Sequence, residues 1–239
     1  MNILVVNDDG ISTNGIARLA QMATQLGKVY VVAPAGQCTA MSMRVTAFES
    51  IAISEYDFPI KGVEAAYSVG GTPVDCVAAA IRSILPQRPD IVFTGINEGY
   101  NAGFDIAYSG TIGAAMEALM NGIPAIAFSA EEKGRFDICD KYILDIAKEL
   151  ITVPIAKNEL WNVNFPGCGM AGFKGIMRQR SVAKSCYYNN RYIKTQADRG
   201  FMLKPKADII TLAQADKGSD IEALLNGYIS IGKVKNMLI

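Results

Sequence analysis

The first ten residues constrain the fold most, because a short apolar run there ends abruptly in an acidic pair. Residues 3–6 read Ile-Leu-Val-Val, which predicts a strand buried on both faces of a sheet. Asp8 and Asp9 follow closely, and Gly10 permits a sharp turn. Ligands of open α/β sheets lie beyond the carboxyl ends of the strands. Two adjacent carboxylates at such a place repel each other and lose hydration, so we expect a divalent metal beside them. The alternative is an Asx-turn followed by a helix-start carboxylate.

Further apolar runs alternate with helix signals along the first two thirds of the chain. Strands are predicted at residues 28–33, 66–69, 90–94, 123–128 and 160–165, an extended segment at 45–53, and helices at 14–26, 73–85, 108–121 and 139–150. Residues 1–166 are therefore predicted to form an α/β fold with a three-layer, Rossmann-like, mostly parallel sheet. Thr72, Pro73 and Asp75 are typical of a capped helix start, so we interpret them as caps rather than catalysts.

After residue 166 the pattern changes to short strands separated by turns. Strands are predicted at 173–179, 185–195 and 207–212, a helix at 220–225 and a last strand at 227–232. Residues 167–239 are therefore predicted to form a hairpin-rich C-terminal extension, whose last helix and strand return to the core. Because a lone hairpin is only marginally stable, we interpret the extension as an oligomerisation arm or a lid.

The chain contains no histidine, and this excludes several kinds of catalytic site. Ser-His-Asp triads, Cys-His dyads and HExxH zinc sites all need an imidazole. Hydrolysis would instead depend on carboxylates, backbone donors or a metal with oxygen ligands, which favours Mg²⁺ or Mn²⁺. Lys+Arg and Asp+Glu both number 23, and the resulting zero net charge argues against nucleic-acid binding.

The distribution of apolar residues and cysteines predicts the cellular compartment of the protein. No apolar run reaches transmembrane length, and the chain starts with a predicted strand rather than a signal peptide, so no membrane association is expected. The five cysteines are scattered and none forms a C-x-x-C pair. These features predict a protein of the reducing cytoplasm.

Three polar loops follow predicted parallel strands and are expected to meet at one edge of the sheet. They carry Asp8 and Asp9, Thr39, and Asn97. Two carboxylates, a hydroxyl and an amide oxygen would hold one six-coordinate Mg²⁺ or Mn²⁺ and leave positions for water and a phosphate. The Ser-Gly-Thr segment at 109–111 opens a helix, where N–H groups and the helix dipole favour a phosphate; a simple N-cap is the alternative. The set predicts metal-assisted phosphomonoester hydrolysis.

Several motifs along the chain match those of a known family. They are NDDG (7–10), VVAP (31–34), GTPVDCV (71–77), RPDIVFTGIN (88–97), GYN (99–101), YSGT (108–111), NGIPAIAFS (121–129), NVNFP (162–166) and GYISI (227–231). On these motifs the chain resembles the SurE family over essentially its whole length. NDDG alone is a weak signal, whereas NDDG followed by G-I-N-x-G-x-N and Y-S-G-T is a specific combination.

The resemblance implies a divalent-metal-dependent phosphatase that acts on nucleoside 5′- and 3′-monophosphates. It implies that one metal ion per subunit is bound by Asp8, Asp9, Thr39 and Asn97. It also implies that the phosphate is contacted by Asn101, Ser109, Gly110 and Thr111. Members of the family are dimers or tetramers that exchange C-terminal arms, so a homodimer or homotetramer formed through residues 167–239 is expected.

The loop at residues 35–40 departs from the family pattern. The family usually has an Asp-Arg pair after the second strand, whereas this chain reads Ala-Gly-Gln-Cys-Thr-Ala. Thr39 keeps a hydroxyl oxygen as a metal ligand, but the missing pair leaves the substrate preference open. Arg44 is a candidate for the missing cation.

Three other interpretations fit parts of the sequence. Cys38 and Arg44 have the C-x5-R spacing of cysteine phosphatases, in which a low-pKa thiolate attacks phosphorus. Asn7 occupies the nucleophile position of the haloacid-dehalogenase pattern, where an amide is a poor nucleophile. A non-catalytic nucleotide-binding protein on the same fold is the third.

The general base of a metal-assisted reaction is restricted by the absence of histidine. Asp8, Asp9 or hydroxide on the metal are the remaining choices. We interpret Asp9 as the more metal-committed ligand, and Asp8 as a shared ligand and base.

Overall fold

The computed structural model describes residues 1–131, 135–189, 191–206, 208–237 and 239, and in it a nine-stranded sheet lies between two layers of helices. The strands are β1 (Asn2–Val6), β2 (Lys28–Pro34), β3 (Ile53–Glu55), β4 (Val63–Val69), β5 (Ile91–Glu98), β6 (Ala125–Ala130), β7 (Glu159–Asn164), β8 (Gly175–Arg180), β9 (Arg191–Gln196), β10 (Phe201–Lys206) and β11 (Tyr228–Lys235). The α-helices are α1 (Asn14–Ala23), α2 (Pro73–Ala79), α3 (Gly110–Met120), α4 (Asp137–Thr152), α5 (Gly169–Gly172) and α6 (Asp220–Leu225). A π-helical turn (Ala80–Ile84) continues α2, and 3-10 turns occur at Phe104–Tyr108 and Leu212–Gln214.

The strand order confirms the predicted α/β fold class. The order is β3-β4-β2-β1-β5-β6-β7-β11-β8, and the six strands from β4 to β7 are parallel. β3 is antiparallel to β4 and β11 is antiparallel to β7, while β8 is parallel to β11. β9 and β10 form a separate antiparallel pair. From β1 the chain adds strands first on one side and then, starting with β5, on the other. This creates a crevice between the carboxyl ends of β1 and β5, which is where ligands bind in such sheets.

The two sides of β1 face two different hydrophobic clusters, as the apolar run predicts. Ile3 and Val5 pack with the α1 and α4 side, whereas Leu4 and Val6 pack with the α2 and α3 side. All four side chains are fully buried. β1 is therefore a rigid central element, and the loop that follows it is fixed at its first residue.

Several predicted elements differ in extent from the structure. β5 continues to Glu98 with an irregular register between Thr94 and Asn97, so Asn97 belongs to the strand and not to the loop after it. In the segment predicted as extended at 45–53, only Ile53 joins a strand. A helix predicted to reach residue 26 ends at Ala23.

The predicted strand at 207–212 is wrong: the second strand of the hairpin is β10, at Phe201–Lys206. Residue 207 lies outside the described residues, as does residue 190 in the strand predicted at 185–195. Gly200 has a φ of +90°, which glycine adopts readily, and Ala197 N–H donates to its carbonyl oxygen at 3.4 Å. This Asp-Arg-Gly turn places the hairpin earlier in the chain than the sequence analysis expected.

The segment after residue 166 contributes to two different structures. β8 and β11 extend the main sheet beyond β7, with α6 packed on β11. β9 and β10 pair only with each other among the described strands.

In the described part of the chain, no helix combines the length and the apolar character needed to cross a bilayer.

Candidate active site

Asn7 braces the turn that carries the acidic pair. Its buried side-chain amide donates to the Gly10 carbonyl oxygen at 2.9 Å and to Thr13 Oγ1 at 3.0 Å, and its Oδ1 accepts the Gly10 N–H at 3.3 Å. Gly10 has a φ of +110° and closes the turn. The sequence analysis gave an Asx-turn here as the alternative to a metal site, and Asn7 is the residue that makes such a turn.

Asp8 is a buried carboxylate held against the start of α3. It is only 3% exposed, and its Oδ1 accepts the Thr111 hydroxyl at 2.5 Å. Gly110 approaches it so closely that a Cβ there would lie 2.9 Å from Oδ2. Burial, reinforced by the charge of Asp9, raises the pKa of Asp8 to about 6 despite the hydrogen bond from Thr111.

Asp9 and Glu98 increase the negative charge at the same point. Asp9 Oδ2 accepts the main-chain N–H of Glu98 at 3.2 Å, and burial raises the pKa of Asp9. Burial and the nearby Asp9 raise the pKa of Glu98. Within the described ranges, no Lys or Arg forms an ion pair with these three acids. The carboxyl end of β1 therefore concentrates negative charge that no described Lys or Arg neutralises through an ion pair.

The Thr39 loop is attached to the same place through its main chain. Cys38 N–H donates to the Asp8 carbonyl oxygen at 2.7 Å, so Thr39 lies one residue from a direct contact with Asp8. The Thr39 side chain is exposed, and its hydroxyl makes no hydrogen bond to any residue that the structure describes. It is available as an oxygen ligand.

Asn97 lies at the end of β5, next to Glu98 and its contact with Asp9. Its side-chain amide donates to the Gly99 carbonyl oxygen at 2.7 Å. This hydrogen bond fixes which end of the amide is the donor, and it leaves Oδ1 without a partner among the described residues. The structure thus brings the Asp8–Asp9, Thr39 and Asn97 segments to one edge of the sheet.

The donor set at this edge fits a hard divalent cation. It consists of two carboxylates, one hydroxyl and one amide oxygen, and all are oxygen ligands of the kind that Mg²⁺ and Mn²⁺ prefer. The raised pKa values of Asp8 and Asp9 show that their negative charge is costly without a counter-charge. The described residues contain no cluster of three or more His, Cys, Asp or Glu side chains suited to a metal. A metal held by Asp8 and Asp9 would need further oxygen ligands, and Thr39 and Asn97 lie on the neighbouring segments.

The start of α3 places Ser109, Gly110 and Thr111 beside Asp8. Ser109 is the N-cap, and its Oγ accepts the Ile112 N–H at 3.0 Å. The Thr111 hydroxyl is used by Asp8. The hydroxyls of both residues therefore have structural partners, and the first-turn N–H groups are the donors that the helix presents to an anion.

Asn101 is buried and joins its loop to two neighbouring strands through hydrogen bonds. Its N–H donates to Asn164 Oδ1 at 2.9 Å, and its side-chain amide donates to Ser129 Oγ at 2.8 Å. Its carbonyl oxygen accepts from the side chains of Asn162 and Asn164, at 2.8 and 3.0 Å. These contacts run to β6 and β7 rather than to Asp8 or Asp9. The sequence analysis missed Asn162 and Asn164, and their spacing in NVNFP, on one face of a strand, was the available signal.

Cys38 does not have the properties of a nucleophilic thiolate. Burial and the charge of Asp8 raise the pKa of its thiol, although Arg44 acts in the opposite direction. Its Sγ lies 3.7 Å from the Gly36 carbonyl oxygen and 3.8 Å from that of Gly71. A cysteine phosphatase needs a lowered thiol pKa, so this environment opposes the C-x5-R interpretation.

Three comparisons with known proteins all point to one family. A family model described as "Survival protein SurE" matches residues 3–188. A protein of Clostridium botulinum strain 657 named 5′-nucleotidase SurE is 36% identical over 236 residues, covering 97% of this chain and 91% of the relative. A protein of the same name from Thermoanaerobacter sp. strain X514 is 37% identical over 237 residues, covering 97% and 90%. The crystal structure of the SurE protein from Aquifex aeolicus superposes with a TM-score of 0.83 at 36% identity, covering 98% of this chain and 93% of that one.

Proposed function

This chain belongs to the SurE family, and from that premise we propose that it is a divalent-metal-dependent phosphomonoesterase. Its substrates would be nucleoside 5′-monophosphates, and also 3′-monophosphates, which it hydrolyses to nucleoside and phosphate. The observation that carries the proposal is the acid pair Asp8–Asp9. The pair lies at the carboxyl end of β1 and contacts the first turn of α3. Among the described residues, no Lys or Arg forms an ion pair with it.

The metal would be held by Asp8, Asp9, Thr39 and Asn97, as one Mg²⁺ or Mn²⁺ per subunit. Such an ion supplies positive charge to phosphoryl oxygens and lowers the pKa of water. Asp8 Oδ1 is engaged by Thr111, so Oδ2 is the oxygen free to accept a proton from the attacking water. In the metal-free protein burial raises the pKa of Asp8 to about 6, and we propose this carboxylate as both a metal ligand and the general base.

The phosphate would be bound by donors at the start of α3 and by Asn101. The N–H groups of Gly110 and Thr111 lie in the first turn, where an anion is favoured. Ser109 Oγ accepts the capping hydrogen bond, which leaves its O–H free to donate. The Asn101 side chain has two N–H donors, and Ser129 uses one of them.

The decisive test measures free phosphate released by chelator-treated protein before and after Mn²⁺ or Mg²⁺ is added. The substrates are nucleoside 5′- and 3′-monophosphates and non-nucleotide phosphomonoesters. We expect release only with metal, and Asp145→Asn, an exposed acid on α4, is a control that should behave as wild type. Release that survives chelation would favour the thiolate mechanism, which Cys38→Ser tests directly. Saturable nucleotide binding without phosphate release would favour the non-catalytic interpretation.

We also propose that the hairpin β9–β10 joins subunits into a homodimer or homotetramer. All six residues of β10 are exposed, and a two-stranded sheet alone is only marginally stable. The hairpin exposes a set of large apolar side chains: Tyr192, Ile193, Phe201, Met202 and Leu203. Light scattering on the full chain should give a multiple of 25.7 kDa, and a variant with 191–206 replaced by a short Gly-Ser linker should give a lower mass. A monomeric wild type would contradict this proposal.

The cysteines support a reducing compartment. All five are free thiols, and Cys38, Cys76 and Cys139 are buried. We therefore propose that the protein acts in the cytoplasm.

A further inference from the structure

Residues 185–188, in the C-terminal part of the chain, run alongside the loop that joins β5 to the start of α3. Phe104 N–H, in that loop, donates to the Ser185 carbonyl oxygen at 2.9 Å. The loop begins directly after Asn97 and Glu98, the last residues of β5. A distant segment of the chain therefore packs against the main chain that follows a proposed metal ligand.

Asp105 fixes the course of this distant segment. Its Oδ2 accepts the main-chain N–H of Tyr187 at 2.7 Å and that of Tyr188 at 3.0 Å. Hydrogen bonds to an ionised carboxylate are stronger than those between neutral groups. Because both N–H groups converge on one oxygen, the direction in which each tyrosine side chain leaves the main chain is fixed.

Both tyrosine side chains return to Tyr100, which is only 7% exposed. The Tyr188 hydroxyl oxygen accepts the Tyr100 N–H at 3.1 Å. The Tyr187 ring packs edge-on against the Tyr100 ring, with the centroids 5.0 Å apart. The hydroxyl oxygen of Tyr100 accepts the Gly167 N–H at 2.7 Å. Tyr100 is thus held at its main chain, its ring and its hydroxyl, each time by a residue from beyond position 166.

The Tyr188 hydroxyl and the Asn97 side chain hold opposite edges of one peptide unit. The Tyr100 N–H and the Gly99 carbonyl belong to the same planar group, because a peptide bond joins these two residues. Tyr188 Oη accepts from the N–H edge at 3.1 Å, and Asn97 Nδ2 donates to the carbonyl edge at 2.7 Å. Rotation of this plane would break both hydrogen bonds, and hydrogen bonds joined in a chain strengthen each other. The orientation of the Asn97 amide therefore depends on Tyr188.

We propose that Tyr188 is a positioning residue for the metal ligand Asn97. Its hydroxyl fixes the Gly99–Tyr100 peptide unit, and that unit fixes the Asn97 amide so that Oδ1 is left for the metal. The inference rests on the proposed function, because it explains how this chain orients one ligand of the proposed ion. It also gives a role to a tyrosine that lies outside the motifs shared with the family.

The first experiment measures Mn²⁺ binding without substrate, by electron paramagnetic resonance titration of chelator-treated protein. Tyr188→Phe removes the hydroxyl and keeps the ring, so the Kd for Mn²⁺ should rise about five-fold, the effect of one hydrogen bond of ordinary strength. Tyr142→Phe is the matched control, since Tyr142 is also partly buried and packs its ring on Phe173. An unchanged Kd in Tyr188→Phe, or a wild type that binds no Mn²⁺, overturns the proposal.

A double-mutant cycle distinguishes positioning from general support of the fold. Asn97→Ala alone should raise the Kd for Mn²⁺ about ten-fold. In that background Tyr188→Phe should change the Kd by less than about two-fold, because Tyr188 acts through Asn97. A residue that only supports the fold would give the same five-fold change in both backgrounds, and that additive result would overturn the proposal.

Steady-state kinetics separates this inference from the proposed activity. Tyr188→Phe should raise the Mn²⁺ concentration for half-maximal phosphate release about five-fold, and leave kcat at saturating Mn²⁺ within about two-fold of wild type. A large fall in kcat at saturating Mn²⁺ would place the effect of Tyr188 elsewhere and overturn the proposal. If the wild type releases no phosphate, the proposed activity fails, while the Mn²⁺ binding cycle still decides the role of Tyr188.

Discussion

Asp8 and Asp75 are both buried carboxylates beside the start of a helix, yet they differ in how many donors their oxygens meet. Asp75 accepts from the N–H and hydroxyl of Thr46 and from the N–H of Thr72. Although burial alone would raise its pKa, these hydrogen bonds lower it. Asp8 receives one side-chain donor, from Thr111, and its pKa rises to about 6. The protein itself supplies the hydrogen-bond donors that Asp75 needs, whereas Asp8 has oxygen lone pairs left for a ligand.

Asp220 shows that the pKa alone does not make this distinction. Burial raises its pKa, although it accepts the N–H groups of Gly103, Ala183 and Ile221. The hydrogen bond from Gly103 ties the segment before the 3-10 turn to the C-terminal part of the chain, and the other two lie within that part, so the role of Asp220 is structural. The number of oxygen lone pairs without a donor therefore separates Asp8 from Asp220, whereas a raised pKa does not.

The largest predicted effect is a contrast between two variants. Asp8→Asn should impair catalysis but not stability, whereas Asp75→Asn should impair stability more than catalysis. Asp8→Asn should lower kcat about 10³-fold, because it removes the base and one ligand charge. The same change should leave the unfolding free energy of the metal-free protein equal or higher, since a poorly compensated buried charge is removed. Asp75→Asn should lower the unfolding free energy by about 1–3 kcal/mol and change kcat only a few-fold. Phosphate-release kinetics and urea denaturation measure the two quantities.

A contrary result would be informative for either variant. Near-normal turnover in Asp8→Asn would remove Asp8 from the reaction. A large loss of stability in metal-free Asp8→Asn would show that the Thr111 hydrogen bond already completes this carboxylate. In either case the difference between Asp8 and Asp75 would no longer separate function from structure.

The sequence alone predicted the starts of both helices and the strand before Asp8, because these features depend on local chemistry. Thr72 and Asp75 form the predicted capping box, and Ser109 occupies the N-cap of α3. The buried run before Asp8 predicted the central strand, and alternating apolar segments predicted a parallel sheet. Such features follow from neighbours within a few residues, where spacing restricts the geometry.

Contacts between distant segments were beyond the sequence analysis. The donation of Thr111 to Asp8 joins residues 103 positions apart, and that of Asn162 to Asn101 joins residues 61 apart. The continuation of β5 through Gly95 to Glu98 also went unseen, because glycine and asparagine are poor strand formers and here tertiary pairing with β6 overrides propensity. The hairpin was misplaced for a local reason, the unrecognised turn at Gly200.

A second prediction tests how closely α3 must approach Asp8. Gly110→Ala places a Cβ 2.9 Å from both Cβ and Oδ2 of Asp8, which forces one of them to move. Since a small misplacement of a reacting group is costly, we expect kcat to fall about 10–100-fold with little change in stability. Gly36→Ala is the control, because a Cβ at Gly36 meets no atom within 4 Å although it lies in the loop beside Gly10. Equal activity in the two variants would show that the contact with Gly110 is unimportant.

A third prediction concerns the neutral ligand on β5. Asn97→Ala should raise the Mn²⁺ concentration needed for half-maximal activity by roughly ten-fold and leave kcat at saturating Mn²⁺ little changed. Asn226→Ala provides the comparison, because the Asn226 amide likewise donates to a nearby carbonyl oxygen, that of Glu222, at 2.9 Å. A metal titration that is the same for Asn97→Ala and wild type would remove Asn97 from the ligand set.

The smallest predicted effect comes from Arg44, the cation that this chain has near the altered loop. Its carbonyl oxygen accepts the Thr72 hydroxyl at 2.6 Å, and its N–H donates to the Met41 carbonyl oxygen at 3.0 Å, so its main chain is fixed. Its exposed guanidinium forms no ion pair or hydrogen bond with any described residue, although it is near enough to lower the pKa of Cys38. An exposed charge of this kind attracts an anionic substrate but is screened by salt.

Arg44→Ala should therefore raise KM for a nucleoside monophosphate about three-fold at low ionic strength, and the difference should largely disappear at about 0.5 M salt. Arg199→Ala, which removes the same charge from the hairpin turn, should leave KM unchanged at both salt concentrations. A KM effect of Arg44→Ala that persists at high salt would indicate a direct contact with the substrate, and the absence of any effect would mean that this loop functions without a cation. In all three outcomes the measurement reports on the substrate and not on stability, because the Arg44 main chain keeps its hydrogen bonds to Thr72 and Met41.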